Sequence, residues 1–368
     1  MMSEPRDQAR QYARIRYRLL LIDLALSWIC LGAMQWSGFS ERLARWWSGW
    51  LASELLVILG YLAVFGALSY LATLPLRFYG GFLLEHRFGL SRLTMAGWCY
   101  REIKHVMVGA ILSGALIEGL YALLRRFPDQ WPLFATAGWV LVSVILARVF
   151  PTVLLPIFYK TSPVEDEQLV RRLVELCERV GLKALGVFRF NLGAETRKAN
   201  AALAGLGKTR RVLLSDTLMT DFPVDEIESV LAHELGHQRH RHITKMLILS
   251  ALGSWVAFSL TKTIAPWWIA GLGLRGLDDI AGFPVLMLWL SILGMVSLPL
   301  QNGVSRYFEW QADRFAIAMA TSPQVFAKAL RRLGTLNLAD PKPPRWVVWL
   351  FYDHPPIAER VQVAERGG

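Results

Sequence analysis

Six stretches of this 368-residue chain are apolar for long enough to cross the hydrocarbon core of a bilayer, and nothing else in the sequence restricts the fold as strongly. A spanning helix needs about 20 residues. The runs cover 19–36, 51–76, 106–124, 133–158, 246–271 and 283–303. In lipid every backbone polar group has to be satisfied within the chain, so runs of this kind form helices. Pro151, Pro156 and Pro299 are tolerated in them where neighbours take up the freed carbonyls. A positive mean hydropathy and 15 Trp agree with a membrane protein.

The formal net charge of +11 does not point to nucleic acid, because the arginines flank the apolar runs and form no basic face with interleaved exposed aromatics. Arg6, Arg10, Arg14, Arg16 and Arg18 precede the first run, and Arg77, Arg87, Arg92, Arg101 and Lys104 follow the second. The opposite loops carry only Arg42 and Arg45, Arg125 and Arg126, and Arg275. This bias predicts a cytoplasmic N-terminus, and six crossings return 159–245 and the C-terminal region to the same side. No small-residue cleavage site follows the first run, so it reads as an anchor and not a signal peptide. Cys30, Cys99 and Cys177 are widely spaced and read as small buried hydrophobes, which leaves His and carboxylates as metal ligands.

The pattern predicts four regions: 1–158 with four spans, 159–245 as an α/β unit, 246–303 as a hairpin of two spans, and 304–368 as a helical region. Within the α/β unit, Ser162-Pro163-Val164-Glu165 reads as a capping box with Pro at the first helical position. The helix that follows has Leu169, Leu173, Leu176 and Val180 at helical spacing and stops at Gly181. Strands are expected at 184–190 and 211–214, with 196–206 between them. A second helix is expected from about Asp221-Phe222-Pro223 through 225–245.

That second helix carries His233-Glu234-Leu235-Gly236-His237. Residues four apart share a helix face, so both imidazoles can reach one metal ion. Zinc suits two neutral imidazoles and a carboxylate with a fourth position open to water. Glu234, next to the first ligand, can accept a proton from the attacking water and pass it to the leaving amine. A metzincin would need a His six residues after His237, where this chain has Ile243. His240 is one candidate for the third ligand. Glu309 is the other, on a helix it shares with Asp313 four residues later; one carboxylate can bind the ion while the other accepts the outer N–H of a ligand imidazole. His354, in Tyr352-Asp353-His354-Pro355-Pro356, can supply a donor to a developing oxyanion. His86, His105 and His242 read as structural.

With Phe82 through Leu90, Ser162 through Asp166, Ala199-Asn200-Ala201-Ala202, Thr209 through Val212, Leu231 through His237, Ser305 through Asp313 and His354 through Arg360, the chain resembles the Ste24-type CAAX prenyl proteases, the type I branch of the M48 zinc metalloproteases. The resemblance runs nearly end to end. It implies a mostly α, polytopic membrane bundle of about six spans around a water-filled chamber, closed on the cytosolic side by a gluzincin-like α/β zinc protease domain. It also implies one zinc per chain on His233, His237 and Glu309, Glu234 as base, and Asp313 behind a ligand. Asn200, Ala201 and Ala202 would lie on an edge strand that pairs with substrate backbone, and His354 and Arg360 would face the site. The substrate class would be a peptide or membrane protein, prenylated in the family's defining reaction. Two features differ from the eukaryotic members: they have a seventh span, and an aromatic where this chain has Ala202. The short loops suggest a prokaryotic plasma-membrane protein. Two other readings stand beside this one: an HtpX-like quality-control protease, and a non-catalytic transporter or receptor with a structural zinc.

Overall fold

The structure is a computed structural model that describes residues 5–182, 186–205, 210–319 and 322–367. Lys183, Ala184, Leu185, Leu206 and Thr209, which fall in or beside the expected strands, lie outside the described residues. Among the described residues six helical segments are long and apolar enough to span a membrane: Asp7–Trp36, Glu54–Arg87, Met95–Arg126, Trp131–Phe158, His242–Gly271 and Ile280–Met319. They overlap the six apolar runs one for one. No more than 22% of any of their apolar windows is buried by the protein itself, so most of that surface needs lipid.

In chain order, α1 (Pro5–Trp36) ends at Gly38, whose φ of 70° reverses the chain into the amphipathic α2 (Phe39–Trp50). No apolar run marks α2, which buries Ser40, Leu43 and Ala44. The second span is α3 (Glu54–Phe78) joined through a π-turn at Tyr79–Leu83 to α4 (Leu84–Arg87). α5 (Met95–Arg126) follows, its N-terminus capped by Thr94 accepting from Gly97 N. α6 (Trp131–Val149) passes through a second π-turn, Phe150–Leu154, into α7 (Leu155–Phe158). Pro156 has no N–H for the carbonyl four residues back, and the wider turn next to it absorbs the irregularity.

The α/β unit begins with β1 (Thr161–Pro163), which pairs antiparallel with a later strand. This corrects the capping-box expectation: Pro163 is the last residue of a strand, and α8 (Glu167–Arg179) starts after Asp166, whose Oδ1 accepts from Gln168 N and Leu169 N. The Asp cap satisfies two orphan amides that Ser162 is too far back to reach. Gly181 at φ 75° terminates the helix as expected. β2 (Val187–Phe190), β3 (Ala201–Ala204) and β4 (Arg211–Ser215) complete a sheet of order β1-β2-β4-β3, with β3 at one edge. α9 (Asp216–Asp221) is capped by Ser215 Oγ, and α10 (Val224–Arg239) follows Pro223.

The second helix does not run to position 245. It ends at Arg239, Arg241 takes the left-handed conformation (φ 55°, ψ 38°), and α11 (His242–Gly271) leaves in a new direction. α12 (Phe283–Met319) follows a 3₁₀ turn at Ile280–Gly282. Its 37 residues measure about 55 Å at 1.5 Å per residue, and it runs without interruption past Gly303 from the last apolar run to Glu309 and Asp313. α13 (Pro323–Leu336), α14 (Arg345–Phe351) and α15 (Ile357–Glu365) close the chain. α8, the sheet, α10, the end of α12, α13 and α15 share one apolar core that includes Leu173, Leu214, Leu231, Leu235, Ala316 and Phe326. The loop after α4 fastens this unit to the membrane part: Arg92 N donates to Glu195 O, Arg197 N donates to Leu90 O, and Lys198 Nζ lies 3.0 Å from Glu85.

Candidate metal centre and active site

α10 and α12 cross unusually closely. A Cβ on Gly236 would lie 2.9 Å from Ala312 Cα, so only glycine allows this approach. The contact brings one face of each helix together. His233 Nε2 and His237 Nε2 come within 3.2 Å of each other, 3.3 Å and 3.1 Å respectively from the Glu309 carboxylate. Ligand atoms from these three residues all lie within 4.8 Å of one another. His240, the rival candidate, is not in this group; its ring stacks on His242.

The residues behind the cluster set the imidazole tautomers. His233 Nδ1 donates to Asp313 Oδ1 at 2.8 Å. Asp313 is buried and also accepts from Arg360 Nη2 (2.6 Å) and Nε (2.8 Å). The Arg360 guanidinium, which also lines the adjoining cavity, is buried, and two of its N–H groups are taken by Asp313. On the other side, His237 Nδ1 lies 3.0 Å from His242 Nδ1, and His242 Nε2 lies 2.9 Å from Gln311 Oε1. His242 is buried and stacked on Phe308 (4.3 Å, 7°), which fixes its ring beside His237. If His237 keeps Nε2 for an ion, its Nδ1–H donates to His242, whose Nε2–H in turn donates to Gln311. Sequence reading missed His242 because residues five apart lie about 140° apart around a continuous helix; the break at Arg241 makes the contact.

His354 Nε2 reaches to 3.3 Å from Glu309 Oε1, and its Nδ1 donates to Asp353 Oδ1 at 2.8 Å. Burial lowers the basicity of this imidazole, but the bond to Asp353 and the charge of Glu309 outweigh burial and hold its pKa above the ordinary value. The same balance holds at His233, where burial is outweighed by the hydrogen bond to Asp313 and by the Glu309 carboxylate 3.3 Å from Nε2, and the pKa rises to about 9. The field of the cluster therefore favours a positive charge. Glu309 Oε2 is buried and accepts no hydrogen bond. Two converging imidazoles, a carboxylate with an unused oxygen and a field that favours a cation fit a divalent metal ion of the zinc type.

A cavity of about 220 Å³ adjoins the cluster. His233, Glu234, Asn200, Ala201, His354 and Arg360 are among its lining residues; Ala202 is not. Glu234 is half-buried at its wall, one residue from His233. The geometry thus brings together nine of the ten residues that the resemblance implies for the site, with Ala202 lying one residue beyond the cavity wall on β3.

Residues 163–366 match peptidase family M48, and residues 2–160 match the CAAX prenyl protease N-terminal domain of five membrane helices. The chain is 27% identical to the uncharacterized metalloprotease YhfN of Bacillus subtilis over 97% of its own length and 85% of the relative's. It is 29% identical to CAAX prenyl protease 1 of Saccharomyces cerevisiae, over 84% of this chain and 72% of that one. A crystal structure of S. mikatae Ste24p superposes with a TM-score of 0.89 at 24% identity, covering 98% of this chain and 89% of that chain. Two matched segments that together span almost the whole chain, and a shared fold from end to end, make this protein a multi-pass membrane metalloprotease of peptidase family M48.

Proposed function

We propose that the chain is a zinc-dependent endopeptidase that cleaves peptides or membrane-associated proteins near a CAAX-like C-terminus, with its site facing the cytoplasm of a prokaryotic cell. The observation that carries this reading is the convergence of His233, His237 and Glu309 beside a cavity walled by Glu234. His233, His237 and Glu309 would hold the ion, which when bound polarises water and the scissile carbonyl. Glu234 takes the proton from the attacking water and returns it to the leaving amine. His354, favoured as the imidazolium by Asp353 and Glu309, keeps its Nδ1–H on Asp353 and offers its Nε2–H to the carbonyl oxygen as negative charge builds there. Asp313 and His242 hold the two ligand imidazoles by their Nδ1 atoms, and Arg360 holds Asp313. The edge of β3 binds substrate backbone as an added strand. The C-terminal specificity is carried over from the CAAX prenyl protease relatives, and the orientation from the arginine bias.

Glu234→Gln tests the chemistry: the purified variant should retain a full equivalent of zinc and lose peptide cleavage. Undiminished turnover would remove Glu234 from the reaction. Glu309→Ala should lose most of the zinc, and full occupancy would return His240 to consideration. Comparing a farnesylated CAAX peptide with an unprenylated, unfolded membrane protein tests the substrate; preference for the second would favour a quality-control role.

A further inference from the structure

We infer that the Asn337 side chain ends the substrate-binding edge of β3 and so limits how many substrate residues can lie on one side of the scissile bond. The inference rests on the peptidase reading above. Asn200 O accepts from Ser215 N (2.9 Å), and the register pairs Ala201 with Leu214 and Leu203 with Val212. In an antiparallel pair, backbone groups alternate between facing the partner strand and facing away. Asn200, Ala202 and Ala204 therefore turn their N–H and C=O toward β4, while Ala199, Ala201 and Leu203 turn theirs out of the edge. Among the described residues β3 pairs with β4 alone.

The outward groups of Ala199 are already engaged. Ala199 N donates to Asn337 Oδ1 at 3.1 Å, and Asn337 Nδ2 donates to Ala199 O at 3.4 Å. A primary amide that offers both a donor and an acceptor to one residue copies the contact a peptide unit of an added strand would make. A bound peptide can therefore pair with Ala201 and Leu203 but meets Asn337 when it reaches Ala199. The cavity agrees: its wall takes in His233 and Glu234 together with Asn337, Ala199 and Ala339. At about 220 Å³ it is smaller than the 300–1,000 Å³ typical of a whole ligand site, which suits one subsite more than a through-groove. Val230, Phe326, Leu330 and Leu333 make that subsite apolar.

The position of Asn337 is firmly set. It caps the C-terminus of α13, and Leu338 next to it has φ 48°, a left-handed conformation unfavourable for leucine. Leu338 is held there by packing against Tyr12, Leu84 and Leu90 at the end of the membrane helices. A strained residue held by its surroundings is the arrangement expected where a neighbouring side chain has to stay in place.

The test uses the full-length, zinc-loaded protein and quenched peptides of one core sequence, lengthened one residue at a time on each side of the cut, with products identified by mass spectrometry. Wild type should show a drop of about tenfold or more in kcat/KM beyond a fixed length on one side only. Asn337→Ala should move that limit outward on the same side, with zinc content retained. If the alanine variant does not purify folded, Asn337→Ser withdraws from Ala199 while keeping a hydroxyl at the helix end, and the same shift is expected. Cleavage with no limit on either side in wild type, or a limit unmoved in the folded variant, would overturn the role of Asn337 and leave the peptidase reading intact. A zinc-loaded wild type that cuts none of the peptides would overturn both.

Discussion

The two candidate ligand imidazoles, His233 and His237, are supported in opposite ways. Behind His233 stands a fully charged arrangement, Asp313 with the Arg360 guanidinium, all of it buried. Behind His237 stands a neutral one, His242 then Gln311 then the Tyr307 hydroxyl at 3.0 Å, leading outward to an exposed side chain. The first ties together α10, α12 and α15, elements far apart in the chain. The second is local to the junction of α10 and α11 and one face of α12. A buried carboxylate strengthens its imidazole as a ligand but leaves a buried guanidinium unpaired if it is lost. A neutral acceptor orients without adding charge, so its loss should weaken binding while leaving the fold nearly untouched.

Asp313→Ala should therefore have the largest effect, a 10–100-fold loss of zinc affinity or activity together with roughly 3–5 kcal/mol of stability, because Arg360 stays buried without its partner. Chelator competition and thermal unfolding read the two losses separately. Adding Arg360→Met should recover much of the stability and none of the affinity; recovery of both would mean that Asp313 serves the fold alone. Gly236→Ala should come next. The added methyl pushes α10 from α12 at Ala312, costing about 1–3 kcal/mol and lowering zinc occupancy through both imidazoles at once. A fully loaded Gly236→Ala protein would show that the helix approach leaves slack.

His242→Phe keeps a ring against Phe308 and removes the acceptor for His237, so zinc affinity should fall about tenfold with little change in melting temperature. The d–d spectrum of a cobalt-substituted protein should shift with it. His242→Asn, which can return an oxygen near the Nδ1 position, should restore part of the affinity. A loss as large as that for Asp313→Ala would erase the contrast between the two sides. Gln311→Leu should have the smallest effect, a few-fold at most, since His242 can still accept from His237 without it.

Reading this protein from its residues succeeded where the physics is local. An apolar run of span length is a helix in a bilayer whatever surrounds it, and six runs correspond to six segments. Two histidines four apart on a helix share a face, and so do Glu309 and Asp313, by the geometry of one turn. Local reading failed where a second segment decides the outcome. Ser162 and Pro163 carry the letters of a helix start, but pairing with Arg189 and Phe188 draws them into a strand. His242 lies on the wrong side of an ideal helix to meet His237, and only the left-handed turn at Arg241 brings it back. Asn337 bears no mark in the sequence, because its meaning depends on the outward backbone of Ala199, 138 positions away. The sequence alone thus determined the membrane helices and which candidate ligands share a helix face, His233 with His237 and Glu309 with Asp313, because these follow from spacing along one element. Which side chains stand behind those ligands, and where the substrate edge stops, was decided by tertiary packing, since those contacts join elements whose separation along the chain carries no periodic signal.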